Sequence, residues 1–267
     1  EPLIDFVDEE GSRHRIWSVW DENFIAQVKA FFNDKKIFIA DGHHRYETAL
    51  QYYQEKKEQG PCEGYNHTLM ALVNIYDEGL LVFPTHRLLT SSIISTPRLL
   101  QELHKQFYLQ ELPEPLDHGH LLDILDKSMT GATASNPSFA LYTPERKLYI
   151  LTLKELREGD KPFPWIDTVV LQELIFSKIL GLGEKERRDE SYLAYLRDEW
   201  EAKKQVDSGE ASHVFFVNTP PLEEIISLAE KGIRAPQKST FFSPKFATGL
   251  IMHRLGWGEK YDDKSST

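Results

Sequence analysis

Asp41-Gly42-His43-His44-Arg45 follows an apolar run, Lys36 to Ala40, and precedes a stretch with helical spacing. A helix start presents unpaired backbone N–H groups and the positive end of the helix dipole, which suits an anion. Glycine at the turn lets that anion come close to the backbone. Arg45 can donate two parallel hydrogen bonds to a phosphate. His43 and His44 add donors whose charge changes near neutral pH. Asp41 would repel a phosphate, so it needs another role: holding Mg²⁺, orienting a histidine, or taking a proton from an attacking hydroxyl. A polar turn would account for any one of these residues, with Asp41 as a helix cap and Arg45 paired with Glu47 or Glu55. The five together point to a phosphate site with one acid-base or metal-binding residue attached. Zinc fits poorly, because adjacent histidines rarely share an ion and no third ligand stands at a recognised spacing. The glycines of a P-loop or of a dinucleotide fingerprint are missing.

Two further clusters have related chemistry. Pro84-Thr85-His86-Arg87 offers a hydroxyl, an imidazole and a guanidinium. Pro236-Gln237-Lys238-Ser239-Thr240, with Lys245, offers two cations and two hydroxyls. The formal net charge of the chain is −11. Three cation-and-hydroxyl clusters in so acidic a chain are best explained by one shared anionic ligand. The same acidity argues against sequence-independent binding of DNA or RNA.

The elements that must position these residues are read from pattern. Ile4–Val7 and Arg15–Trp20 form a hairpin around Asp8-Glu9-Glu10-Gly11. Asp21 caps a short helix carrying Phe24, Ile25, Val28 and Phe31. Lys36–Ala40 is a short buried strand. The next helix carries Tyr46, Ala49, Leu50 and Tyr53 on one face and ends by Gly60. Thr68–Tyr76 and Leu80–Phe83 form a second hairpin around Asp77-Glu78-Gly79. Helices follow over Pro97–Phe107 and Leu121–Met129, and a strand pair over Ser138–Tyr142 and Leu148–Leu153, joined across Thr143-Pro144-Glu145-Arg146. After a Pro162-Phe163-Pro164 break, Asp167 caps an apolar helix to Leu180. A charged helix covers Glu184 to about Lys204. Then come a strand, Ser212–Val217, a helix, Leu222–Lys231, and a last helix from Pro244 to about Arg254. The irregular mixture is α+β, or mixed α/β, with no internal repeat.

The chain has 267 residues and one cysteine, Cys62, read as a spectator near a turn. No apolar run reaches the ~20 residues that cross a membrane, and nothing resembles a signal peptide. A cytoplasmic protein is expected. The sequence is silent on oligomeric state. It begins with Glu1 rather than methionine, and an N-terminal segment is expected to precede it.

The string IADGHHRYETAL, with PTHRLL downstream and PQKSTFFSPK near the end, resembles a large bacterial family known only as a domain of unknown function, number one thousand and fifteen of its series. The motifs follow that family's order and cover most of the chain. A more distant resemblance concerns Asp41 to Arg45, which is similar to the DGHHR motif of free serine kinases in the ParB/sulfiredoxin-like superfamily. Those enzymes phosphorylate free L-serine with ADP or ATP. Sulfiredoxins carry Gly-Cys-His-Arg with a nucleophilic cysteine, and His43 stands in its place here. ParB-type proteins carry a Gly-Glu-Arg-Arg-like box that binds CTP. Gly42 and Arg45 match it, whereas His44 and Glu47 depart from it.

The resemblance implies a ParB/sulfiredoxin-like nucleotide-binding part over residues 1–95, a mixed α/β part over 96–257 and a polar tail over 258–267. It implies that Gly42, His43, His44 and Arg45 hold nucleotide phosphates, with Asp41 near the transferred phosphoryl group or the serine hydroxyl. Asp41 and His43 are the expected catalytic residues, with Mg²⁺ held through Asp41. His86, Arg87, Lys238, Ser239, Thr240 and Lys245 are the expected further phosphate contacts. The serine kinases use an upstream glutamate as base, and neither Glu1, Glu9, Glu10 nor Glu22 is singled out as its counterpart. The expected activity is a small-molecule phosphotransferase using Mg²⁺ with ATP or ADP, acting on L-serine or, in reverse, dephosphorylating O-phosphoserine. The alternatives are a ParB-like nucleotide-binding regulatory module without turnover and, last, a scaffold.

Overall fold

Two short runs near the start pair because their side chains alternate. β1 (Ile4–Val7) and β2 (Arg13–Ile16) are antiparallel, with Ile4 opposite Ile16 and Phe6 opposite His14. The computed structural model describes residues 1–9, 11–58, 64–129, 137–154, 167–219, 221–232, 238 and 241–255. Cys62, Glu10, the Pro162-Phe163-Pro164 break and the tail from 258 lie outside them. The chain divides into two units, Glu1–Leu80 with Pro244–Thr267, and Leu81–Ser243. The sequence reading set its boundaries after 95 and after 257.

In the first unit, Asp21 accepts a hydrogen bond from the Phe24 amide at 2.9 Å and starts α1 (Glu22–Phe32). The side-chain oxygen replaces a partner that the first turn of a helix lacks. α2 (His43–Lys57) follows. Three expectations fail here. Residues 36–40 belong to no strand or sheet, and Ile37 and Ile39 are exposed, so the run is not a buried strand. The stretch 68–76 is likewise not a strand, although Asp77 does make the expected turn by accepting from Gly79 N at 2.9 Å. Residues 244–255 form turns, not a helix, with Gly249 at φ +88°. Apolar spacing alone does not make a strand, because the ladder needs a partner edge.

The second unit holds β3 (Leu81–Phe83), β4 (His86–Leu89), α3 (Thr96–Gln106), β5 (Phe107–Leu112), α4 (His118–Met129), β6 (Ser138–Tyr142) and β7 (Leu148–Leu153). It continues with α5 (Asp167–Val170), which widens to i→i+5 bonding over Leu171–Ile179, then α6 (Glu184–Arg188), β8 (Leu193–Leu196), α7 (Glu199–Ser208), β9 (His213–Phe216), α8 (Leu222–Glu230) and β10 (Phe241–Ser243). Six strands form one antiparallel sheet in the order β5-β7-β6-β9-β4-β8.

The central strands read as continuous apolar runs, Ser-Phe-Ala-Leu-Tyr in β6 and His-Val-Phe-Phe in β9, because both faces of the sheet are covered. On one face Phe139, Leu141, Leu151 and Phe215 pack with Leu99 and Leu103 of α3 and with Val170, Ile175 and Phe176. On the other, Ala140, Tyr142, Ile150 and Phe216 pack with Leu121 and Leu125 of α4 and with Ala202 and Val206 of α7. Each fully buried large apolar side chain stabilises by roughly 1.5–3 kcal/mol. The fold is α+β. The one charged helix expected over 184–204 is instead α6, edge strand β8 and α7. Asp198 starts α7 by accepting from Glu201 N at 2.7 Å. Asp167 accepts from Ser138 N at 3.1 Å and from Asn218 Nδ2 at 2.8 Å, which ties α5 to the start of β6. Among the described residues no helix is long and apolar enough to cross a membrane.

Candidate functional site

Gly42 is the residue from which α2 starts. Its φ of +86° is in the left-handed region that glycine adopts without a Cβ penalty. Among the described residues no side-chain hydrogen bond caps the helix, and Asp41 Oδ1 accepts from Gly42 N at 2.8 Å; the first-turn amides of a helix have no partner within the helix itself. The Arg45 guanidinium folds back over Gly42, so a Cβ there would lie 2.8 Å from Arg45 Nη2 and 2.9 Å from Nε.

Lys245 comes to the same point from the far end of the sequence. Its Nζ donates to Asp41 Oδ2 at 2.9 Å, and Arg45 Nη2 lies 3.8 Å from that oxygen. The Lys245 hydrogen bond, aided by the Gly42 amide and Arg45, holds the Asp41 carboxyl below the usual carboxylate range despite partial burial. All three side chains are exposed enough to meet solvent. His44 is also exposed, with Nδ1 3.6 Å from Glu47 Oε2, and His43 is exposed beside it. Two cations, one carboxylate, two imidazoles and an open helix start therefore share one corner of the first unit. This arrangement can neutralise a phosphate and keep one carboxylate close to it. Among the described residues no group of three or more His, Cys, Asp and Glu side chains gathers as a metal cluster.

The second predicted cluster has another setting. His86 and Arg87 are consecutive in β4, so they point to opposite faces of the large sheet. Both are buried, at 1% and 3% exposure. His86 stands edge-on to Phe216, with Nδ1 accepting from Val217 N at 3.3 Å and Nε2 3.2 Å from Glu199 Oε1. Burial would raise the Glu199 carboxyl, but the partnership with His86 holds it below its ordinary value. Arg87 donates to Thr85 O and, at 3.1 Å, to Lys238 O, with its guanidinium over the Tyr195 ring. Burial pulls the Arg87 pKa down to about 10.

Of the third cluster, Lys238 is described, with φ +59° and an exposed side chain, while Ser239 and Thr240 lie outside the described residues. The structure thus joins Lys245 to Asp41 and Arg45, and Arg87 to the Lys238 backbone. It does not bring His86 and Arg87 to a common face. Glu199 and Tyr195, which partner them, carry no local sequence signal, because the pairing of β4 with β8 bridges about a hundred residues.

A comparison with curated proteins finds no match. Among solved structures, the chain is similar to a conserved hypothetical protein from Pyrococcus furiosus at 17% identity, covering 83% of this chain and 81% of that one, with a TM-score of 0.43. It is also similar to a free serine kinase in complex with AMP, at 17% identity, 84% and 81% coverage and a TM-score of 0.41. A mutant of free serine kinase in complex with ADP gives 16% identity, the same coverage and a TM-score of 0.40. The family model described as protein of unknown function (DUF1015) matches residues 1–175, and the chain belongs to that family.

Proposed function

We propose that the corner formed by Asp41, Gly42, Arg45 and Lys245 binds the phosphates of ATP or ADP and transfers a phosphoryl group to a hydroxylated small molecule, with L-serine the first candidate. The observation that carries this reading is the meeting of Lys245 with Asp41 and Arg45 at the uncapped start of α2. The Asp41-to-Arg45 likeness to the serine-kinase motif names the reaction class.

In the reaction, the serine hydroxyl oxygen attacks the terminal phosphorus. Its proton passes to the Asp41 carboxylate. The bond from phosphorus to the bridging oxygen breaks, and the shortened nucleotide leaves with that electron pair. Arg45, Lys245 and the first-turn amides of α2 balance the charge on the phosphoryl oxygens, so positioning and electrostatics supply most of the effect. His43 and His44 donate to the same oxygens. Asp41 is the single carboxylate of the motif. That fits magnesium carried in on the nucleotide's phosphates and touched by Asp41, where it would add positive charge.

One observation favours a second reading. A carboxylate held low by Lys245 and Arg45 is a poor proton acceptor, and a nucleotide-binding module without turnover would need none. The two separate in one experiment. With Mg²⁺ and ATP or ADP, the kinase forms O-phosphoserine from L-serine, followed by phosphorus NMR, and Asp41→Asn abolishes this while still binding nucleotide. Nucleotide binding with neither formation nor consumption of phosphoserine leaves the module. Absence of binding removes both.

A further inference from the structure

We infer that Thr96, His213 and Glu145 form a latch that acid closes: when His213 takes up a second ring proton, the Thr96 hydroxyl turns from the imidazole to the Glu145 carboxylate and ties the turn between β6 and β7 to the start of α3. The latch lies wholly in the second unit and does not depend on the phosphate-binding reading above.

His213 opens β9 and is 2% exposed, and Thr96 opens α3 and is 8% exposed. His213 Nδ1 lies 3.2 Å from Ser212 Oγ, and Nε2 lies 3.1 Å from Thr96 Oγ1. Counting protons sets the direction of each bond. Ser212 Oγ has one proton, which goes to a main-chain carbonyl, Leu89 O at 2.9 Å or Ser91 O at 3.0 Å. Ser212 therefore only accepts from the ring, and Nδ1 carries the hydrogen. Neutral His213 is left with a bare Nε2, which accepts from the Thr96 hydroxyl.

Among the described residues the charged group that acts on His213 is Glu145, from the β6–β7 turn. From α3 His213 meets the uncharged Thr96, and from β4 the uncharged Leu89. Burial would raise the Glu145 carboxyl, but the Thr96 hydroxyl, its own amide, the Thr143 hydroxyl and His213 together hold it below its ordinary value. Thr96 thus stands between an imidazole and a carboxylate with a single proton to donate. While His213 is neutral, Nε2 takes that proton's hydrogen bond. Once Nε2 is protonated it donates to Thr96 Oγ1, and the freed hydroxyl donates to Glu145. One proton comes from solvent, and no bond between heavy atoms changes. The line from imidazolium through hydroxyl to carboxylate then runs donor to acceptor throughout, with a charge at each end to strengthen it. Arg146 N donates to Thr143 O at 2.9 Å and Thr143 N to Lys147 O at 3.0 Å, so the turn is closed on itself and fixing Glu145 fixes the turn.

The test is NMR of the full chain with nitrogen-15-labelled histidine rings, the His213 signal being assigned by its loss in His213→Gln. At neutral pH the ring hydrogen is expected on Nδ1. The latch favours the charged ring, so the His213 midpoint should fall in Glu145→Gln and in Thr96→Val. Adding Glu145→Gln to Thr96→Val should move it little further, whereas Thr96→Ser keeps the hydroxyl and the wild-type midpoint. Below the midpoint the Arg146 amide should exchange more slowly in wild type than in Glu145→Gln at the same pH, and above it the two should match. A ring hydrogen on Nε2 at neutral pH overturns the latch in the wild-type chain alone, without any variant. A Glu145→Gln shift of the same size with and without the Thr96 hydroxyl overturns the relay and leaves only charge acting across space. Arg146 exchange that matches on both sides of the midpoint overturns the tie to the turn.

Discussion

Gly42→Ala, set beside Arg45→Ala, separates the backbone contribution at the candidate site from that of its arginine. Residue 42 has φ +86°, and an L residue in the left-handed region costs about 1–2 kcal/mol. The added methyl would also lie 2.8 Å from Arg45 Nη2, so the guanidinium must move off. Arg45 is exposed and its 3.8 Å pairing with Asp41 contributes only ~0–1 kcal/mol. The stability loss expected for Gly42→Ala is therefore about 1–2 kcal/mol, mostly backbone. The binding loss is larger. Charge-assisted hydrogen bonds from a guanidinium contribute ~1.5–3 kcal/mol, which is roughly a 10- to 100-fold weaker ADP complex. Arg45→Ala should show the same affinity loss with stability within about 0.5 kcal/mol of wild type. Urea denaturation followed by circular dichroism reads the first quantity, and titration calorimetry with ADP reads the second. If Gly42→Ala unfolds like wild type and binds ADP equally well, both the left-handed turn and the placement of Arg45 are irrelevant to the site.

Two further predictions concern the second unit. Burial depresses the His213 pKa below its usual value, with Glu145 opposing in part. The unfolded chain therefore binds the proton more readily, and stability is lost as pH falls from about 6.5 towards the folded value. His213→Gln should shrink the difference between urea midpoints at pH 7.5 and 5.5, and an unchanged difference would rule out His213 as its source. Tyr142 donates to Asp207 Oδ1 at 2.8 Å beneath the Lys203 ammonium. Tyr142→Phe should cost about 1 kcal/mol in the same assay, and no cost would mean that water replaces the bond freely.

Local chemistry made much of the fold legible. Asp21 marked the start of α1, Pro97 the start of α3, and Thr143-Pro144-Glu145-Arg146 joined β6 to β7, because caps and tight turns are settled within a few residues. The strands that pair at long range were not legible in the same way. Leu80–Phe83 suggested a hairpin with the segment before it, yet β3 pairs with β10. Leu193–Leu196 is a short edge strand between two charged helices, and helical composition on both sides concealed it. At the site, the residue types of the junction were readable from Asp41 to Arg45. The arrival of Lys245 was a matter of tertiary structure. His86 and Arg87 form a motif in the sequence, but a strand sends neighbours to opposite faces, so adjacency there did not mean a shared face.

The pairing of β3 with β10 bears on when the candidate site can assemble. Leu81 lies opposite Ser243, so the second unit begins and ends on neighbouring strands. The contact between Asp41 and Lys245 spans 204 positions of sequence. Once β3 and β10 are joined, the loop left to close is shorter by about two doublings, a saving of about 1.2 kcal/mol in closure entropy. During synthesis Asp41, Gly42 and Arg45 emerge early, but their lysine emerges only after the whole sheet has been made. Closing the inserted unit through β3 and β10 therefore lowers the entropy cost of bringing Lys245 to Asp41.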